Sequence, residues 1–259
     1  MNAPEPRKKG LDLLKFASRW WSGEAEVART FFSRPHKPEE HLQWLRLQAC
    51  KELQPRAGGI IIRHAEKLVN DYRELEQGVD RWAYLRTIEF MLEEFRHYAL
   101  FADLVDEITG GALTPEELAG YDLPEEQQLR AVRGDAMQQY GALARCASSF
   151  CEGGGASIFF EGARIGGDPL SEKIAAACRS VYDDEIDHAR HGVEELVAVA
   201  KTDDDWAIAR RLIETISRQR LLMRNEQFGH PLSEERVEEI AQGKIDLPDR
   251  FRALLSPLP

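Results

Sequence analysis

The sequence contains two Glu-x-x-His steps, Glu94 with His97 and Glu185 with His188. Both steps lie in stretches with the apolar spacing of an α-helix. Residues three apart on a helix project about 60° from each other, so one carboxylate and one imidazole can reach the same ion. Two such steps therefore predict two metal ions.

Each metal ion also needs a carboxylate from a neighbouring helix. Glu66 lies 28 residues before the first step, and Glu152 lies 33 residues before the second. Both separations fit part of one helix, a turn and part of the next. Glu66 falls at the border of the apolar stripe of its helix, and Glu52 and Glu76 are poorer alternatives to it.

Glu94 lies in a largely apolar helical seam. Burial of an unpaired carboxylate costs several kcal/mol, so its position favours a compensating cation. A salt bridge to Arg86 or Arg96 is the alternative, and Glu93 is the fallback ligand. The other members of the seam are Thr87, Met91, Tyr98, Phe101 and Val105.

Further polar side chains surround the two steps. Asp184 is within reach of the second step, and Asp187 forms an i, i+4 pair with His191. Ligating imidazoles usually donate their second N–H to a carboxylate, so this pair would support the ligands, with His191 as an additional ligand in the alternative interpretation. Tyr98 and Tyr182 lie within one turn of the steps and are candidates for electron relay or hydrogen bonding.

Three glycines, Gly153, Gly154 and Gly155, follow Glu152 directly. Each glycine in a helix interior costs about 1 kcal/mol relative to alanine. We therefore predict a widened or π-bulged turn beside the metal ions, with room for dioxygen and a small substrate. The alternative is a helix break with Glu161, rather than Glu152, turned inward.

The spacing of these residues resembles the ferritin-like di-iron carboxylate proteins. In that superfamily two helices of a four-helix bundle each supply one Glu, and the other two each supply a Glu-x-x-His. The resemblance covers about residues 55 to 200. The residues that match are Glu66, Glu94, His97, Glu152, Glu185 and His188.

The resemblance implies an O2-dependent non-haem oxidase or oxygenase that hydroxylates, N-oxygenates or desaturates a small organic molecule. It implies two iron ions as cofactors, with manganese or a mixed pair as alternatives, and O2 as co-substrate. Electrons would come from the substrate or from an external reductase or ferredoxin. The rivals are a ferroxidase or other iron-handling protein, a rubrerythrin-like peroxidase and a metal-free structural helical protein.

Composition restricts the class of protein further. The 259 residues carry a formal net charge of −11, which disfavours a nucleic-acid partner. The four cysteines include no Cys-x-x-Cys pair, so neither a zinc ribbon nor a rubredoxin-like module is encoded. We interpret them as reduced thiols, which predicts a cytoplasmic protein. No apolar run approaches membrane-spanning length.

Apolar residues recur with helical spacing almost throughout, which predicts an all-α fold. The expected core helices span residues 57–77, 80–109, 135–165 and 169–200, with a long crossover between the second and the third. We expect a ferritin-like four-helix bundle over 55–200, an N-terminal helical extension over 1–54, and C-terminal helices over 201–259, including one at 203–228. The pattern leaves a homodimer open.

Overall fold

The computed structural model describes residues 5–54, 60–73, 78, 80–185 and 188–248. Within these ranges the chain is helical and contains no strand, which confirms the all-α prediction. None of the described helices is both long enough and apolar enough to cross a membrane.

The helices follow one another with short connections. Their bounds are α1 Glu5–Phe32, α2 Pro38–Leu53, α3 Ile60–Arg73, α4 Arg81–Thr109, α5 Pro115–Gly120, α6 Pro124–Tyr140, α7 Ala142–Ser149, α8 Glu152–Gly162, α9 Pro169–Glu185, α10 His188–Val199, α11 Asp203–Gln227 and α12 Glu234–Ala241. The helices expected at 57–77, 80–109 and 203–228 correspond to α3, α4 and α11.

The prediction of one continuous helix over 135–165 is wrong, because three helices, α6, α7 and α8, share that stretch. Gly141 ends α6 with a φ of +50°, a left-handed conformation that favours glycine. A turn at Phe150 and Cys151 then separates α7 from α8. The break therefore precedes the three glycines.

Contacts along the chain define two compact units. Unit 1 contains residues 1–35 and 123–259, and unit 2 contains residues 36–122. The sequence-based boundaries after residues 54 and 200 do not coincide with these limits.

In unit 1, α1 packs against α8, α10 and α11, and α11 also packs against α6 and α7. The buried core between these helices is apolar and includes Leu14, Trp21, Phe150, Leu196 and Ile213. The indole N–H of Trp21 donates to the carbonyl oxygen of Phe150 at 2.8 Å. Because a buried indole needs a partner, this bond fixes the position of α1 beside the turn that precedes α8.

Unit 2 is built on the contact between α2 and α4, with α3 against α4 and α5 against α2. Asp80 caps the start of α4 by accepting from the backbone N–H groups of Trp82 and Ala83. Gly110, in the left-handed conformation at φ +72°, ends the helix. The two caps fix the 29 residues of α4 as one helix.

Candidate metal centre

In unit 2, α2 and α4 bring together the side chains of Glu52, Glu94 and His97. One ligand atom of each residue lies within 4.8 Å of one ligand atom of both others. Glu52 is 7% exposed and His97 is 1% exposed. Two carboxylates and an imidazole thus converge in a buried position.

The α2–α4 contact that positions these groups is aromatic on one side and polar on the other. The rings of Trp44 and Phe101 meet edge to face, with centroids 6.1 Å apart. The indole N–H of Trp44 donates to Nδ1 of His41 at 3.1 Å, which satisfies the buried indole. The register between α2 and α4 therefore rests on packed, hydrogen-bonded side chains next to the centre.

The orientation of Glu52 comes from its own helix. The amide of Gln48, one turn earlier, donates to Oε1 of Glu52 at 2.5 Å. The other carboxylate oxygen, Oε2, lies 4.0 Å from Nδ1 of His97. That distance is too long for a hydrogen bond and is about twice a metal–donor bond of about 2 Å.

The donor set suits a divalent first-row metal ion. Carboxylate oxygens and an imidazole nitrogen are ligands of iron, manganese and zinc, whereas softer sites use thiolates. Two carboxylates balance the charge of one divalent ion, which reduces the cost of keeping both buried. The residues present therefore fit one metal ion at this position.

Glu52 belongs to the cluster although its spacing made it a poorer candidate than Glu66. It lies 42 residues before Glu94, beyond the distance of a helical hairpin, because α3 intervenes between the two helices that pack together. A signal for it does exist in α2: His41, Leu45, Gln48 and Glu52 follow steps of four, three and four, and all four are buried.

The predicted ligand Glu66 lies elsewhere. Its side chain is exposed on α3, beside a shallow groove that Ile62 and Val69 also line. Among the described residues it is not part of the carboxylate and histidine cluster around His97. Tyr98, which follows His97, is half-buried, and burial, reinforced by Asp106 and Asp103, raises the pKa of its hydroxyl.

The second Glu-x-x-His step falls at a gap in the described chain. Glu185 ends α9 and His188 begins α10, and their side chains, like that of His191, lie outside the described residues, as does Asp187. Their roles as ligands or supporting groups stay predictions.

Other predicted residues near the second step lie in unit 1. Asp184 is exposed, and Tyr182 is half-buried with its ring 5.4 Å from that of Phe160. Glu152 is half-buried at the start of α8. Glu161, the alternative to it, is buried, and one of its carboxylate oxygens accepts from Arg29 at 2.9 Å. An ion pair therefore accounts for the inward position of Glu161.

The three glycines do not leave an open space. A Cβ atom at Gly153 would lie 2.5 Å from the ring of Trp21, and one at Gly155 would lie 3.0 Å from Nη2 of Arg220. Side chains of α1 and α11 occupy the positions next to α8. This corrects the prediction of room for dioxygen and substrate at Gly153, Gly154 and Gly155, because the glycines permit close helix packing instead.

A buried ion-pair cluster lies beside these glycines. Glu24 is 1% exposed, and Nε of Arg220 donates to its two carboxylate oxygens at 2.9 and 3.1 Å. Nε of Arg224 donates to Oε2 of the same carboxylate at 3.3 Å. Burial lowers the pKa of Arg220, but Glu24, together with Cys151 and Glu152, outweighs this effect and raises the pKa overall. No motif in the sequence marks Glu24, whose charge is balanced by arginines.

No family model, no curated protein and no solved structure matches this chain. Any assignment of function therefore rests on the residues themselves.

Proposed function

We propose that this protein is a non-haem metal-dependent oxidoreductase of the ferritin-like di-iron type, which uses O2 to oxidise a small organic molecule. Glu52, Glu94 and His97 would hold one iron ion. Glu185 and His188, whose side chains lie outside the described residues, stay the sequence-based prediction for a second ion. The observation that carries the proposal is the convergence of two carboxylates and an imidazole from α2 and α4.

The chemistry of the three donors favours an iron or manganese ion over a structural zinc ion. Structural zinc sites are usually closed by four cysteine or histidine ligands, whereas this set is rich in carboxylates. A bound iron pair would supply the redox chemistry with O2. The protein would hold the ions, orient Glu52 through Gln48 and keep bulk water away from the buried donors.

The first experiment is an anaerobic titration of metal-free protein with Fe(II), followed by metal analysis of the desalted complex. We expect about two irons per chain in the wild type. Glu52→Ala, Glu94→Ala and His97→Ala should each lose about one. Glu66→Ala is the matched control, because Glu66 is an exposed glutamate of the same unit, and it should retain both.

The result that would overturn the site is full iron occupancy in both Glu52→Ala and Glu94→Ala. Absence of stoichiometric iron and manganese from the wild type would overturn metal dependence itself and would leave Glu52, Glu94 and His97 as a polar cluster without a metal role. Circular dichroism and thermal unfolding of each variant show that loss of metal is not loss of fold.

The second experiment separates oxidation of a substrate from iron storage. Protein loaded with Fe(II) is exposed to O2, and further Fe(II) is then added. An oxidase or oxygenase should stop consuming Fe(II) at about two per chain. Continued oxidation far beyond that ratio, with the iron retained in a soluble assembly, would identify an iron-handling protein instead.

A further inference from the structure

Helix α4 exposes a stripe of large apolar side chains. Leu85 is 39% exposed, Ile88 42%, Leu92 48% and Phe95 52%. The four positions follow steps of three, four and three, which is the a/d spacing of a coiled coil. Contiguous exposed apolar side chains of this size mark an interaction surface rather than a solvated helix face.

The stripe is on a different face of α4 from the residues that pack inside unit 2. Thr87, His97 and Phe101 are buried, and their positions lie on the opposite side of the helical wheel from the stripe. The internal contacts of α4 with α2 are therefore already satisfied without the stripe.

We propose that the stripe is the interface of a homodimer, in which α4 packs antiparallel against α4 of a second copy of this chain. Leu92 would lie opposite Phe95 of the second copy, and Ile88 opposite its Ala99. A twofold axis repeats both contacts, as in any isologous interface. The inference concerns assembly and is independent of the proposed metal centre.

The charges beside the stripe favour a second copy of this chain as the partner and the antiparallel register given above. Glu89 and Arg96 both occupy the e position, directly after Ile88 and Phe95, and both are exposed. Neither has an ion pair with another described residue. In the proposed register Glu89 of one copy faces Arg96 of the other, and the twofold axis produces two such pairs.

Competing arrangements lack this complementarity. Shifting the antiparallel register so that Leu85 faces Phe95 of the second copy would place Glu89 against its own symmetry mate, which is repulsive. A parallel pair would place Glu89 next to Tyr84 and Arg96 next to Met91, without an ion pair. Opposite charges thus meet only in the proposed register among these three arrangements.

The test is a charge-swap cycle on the full-length chain, read by sedimentation velocity over a range of concentrations. The wild type should be a dimer. Glu89→Arg and Arg96→Glu should each raise the dissociation constant by about tenfold or more, because two attractive pairs become repulsive. The double variant Glu89→Arg/Arg96→Glu should return to within about threefold of the wild type, since the pairs reform with reversed polarity.

Two further variants define the surface. Leu92→Glu should be monomeric, because it places a carboxylate in the apolar seam. Arg86→Glu, which changes an exposed charge of α4 beside the stripe but outside its e position, should remain dimeric. Unchanged thermal unfolding of dilute monomer would show that each variant is folded, and iron stoichiometry would be the same in all of them if metal binding exists.

Three results would overturn the inference. A wild-type chain that is monomeric at every concentration would exclude a second copy as the occupant of the stripe. A dimer indifferent to Leu92→Glu would place the interface elsewhere. A double variant as weak as either single variant would show that Glu89 and Arg96 do not face each other.

Discussion

A Cβ atom at Gly154 would lie 1.9 Å from Oε1 of Glu24. No real Cβ atom tolerates that distance, so α1 and α8 can pack as they do only with glycine at this position. The carboxylate cannot simply move away, because Arg220 and Arg224 hold it. The glycine and the buried ion pair are therefore parts of one packing arrangement.

We predict that Gly154→Ala destabilises the protein by about 3 kcal/mol or more, measured by urea unfolding. The matched control is Gly134→Ala in α6, where a Cβ would meet nothing within 4 Å. That change should be neutral or stabilising by up to about 1 kcal/mol, because alanine is the better helix former. Equal effects of the two substitutions would contradict the packing described for α1 and α8.

Removal of the buried carboxylate should be equally costly. Glu24→Ala would remove the buried carboxylate that Arg220 and Arg224 both contact, and we expect a loss of about 3 to 5 kcal/mol in the free energy of unfolding. Glu214→Ala is the control, because Glu214 pairs with Arg19 at 3.2 Å while half of its side chain is exposed. Its loss should cost less than about 1 kcal/mol.

Alkaline pH should weaken the fold through Cys178. Burial raises the pKa of its thiol from 9.0 to about 12, so the folded state keeps a proton that the unfolded state releases above pH 9. Stability from this group is therefore present below pH 9 and is lost at about 1.4 kcal/mol per pH unit between pH 9 and 12.

The measurement is the free energy of unfolding at pH 8 and pH 10.5 for the wild type and Cys178→Ala. The variant should show the smaller decrease with pH. Identical decreases would mean that the thiol ionises equally in both states. Alkylation at pH 8 supplies a second readout, in which partly exposed Cys50 should react first and Cys178 only after unfolding.

Gln48 should affect metal affinity without being a ligand. Its amide holds Oε1 of Glu52, and loss of such supporting hydrogen bonds typically weakens metal binding by about 10- to 100-fold. We expect this range for Gln48→Ala in a calorimetric titration with Co(II), and no change for Gln43→Ala, an exposed glutamine on the same helix. Equal affinities of the wild type and Gln48→Ala would show that Gln48 does not support the metal centre.

Helices with strong end signals could be predicted closely from the sequence. The helix expected at 203–228 is observed at Asp203–Gln227, where Thr202 accepts from the backbone of Asp205. The helix expected at 80–109 is observed at Arg81–Thr109, between Asp80 and Gly110. In both cases the signals are local, so that neighbouring residues alone determine where the helix starts or stops.

Features that depend on which helices meet could not be predicted in the same way. Glu52 belongs to the cluster because α2, rather than α3, provides the carboxylate beside His97, and helical spacing does not specify that choice. Gly153 and Gly155 were interpreted as space for a ligand because their neighbours, Trp21 and Arg220, are distant in sequence. Glycines in a helix indicate that another group approaches the backbone closely, but the sequence alone does not identify that group.

The division of the chain has a consequence for its synthesis. Unit 1 is discontinuous, and unit 2 is inserted between its two parts. Glu24 and Arg220 are 196 residues apart, so a ribosome working at about 5 to 20 residues per second needs roughly 10 to 40 s to deliver the second after the first. During that interval α1 of the nascent chain lacks its packing partner α11. Helix α1 thus reaches its final environment only after α11 has been synthesised.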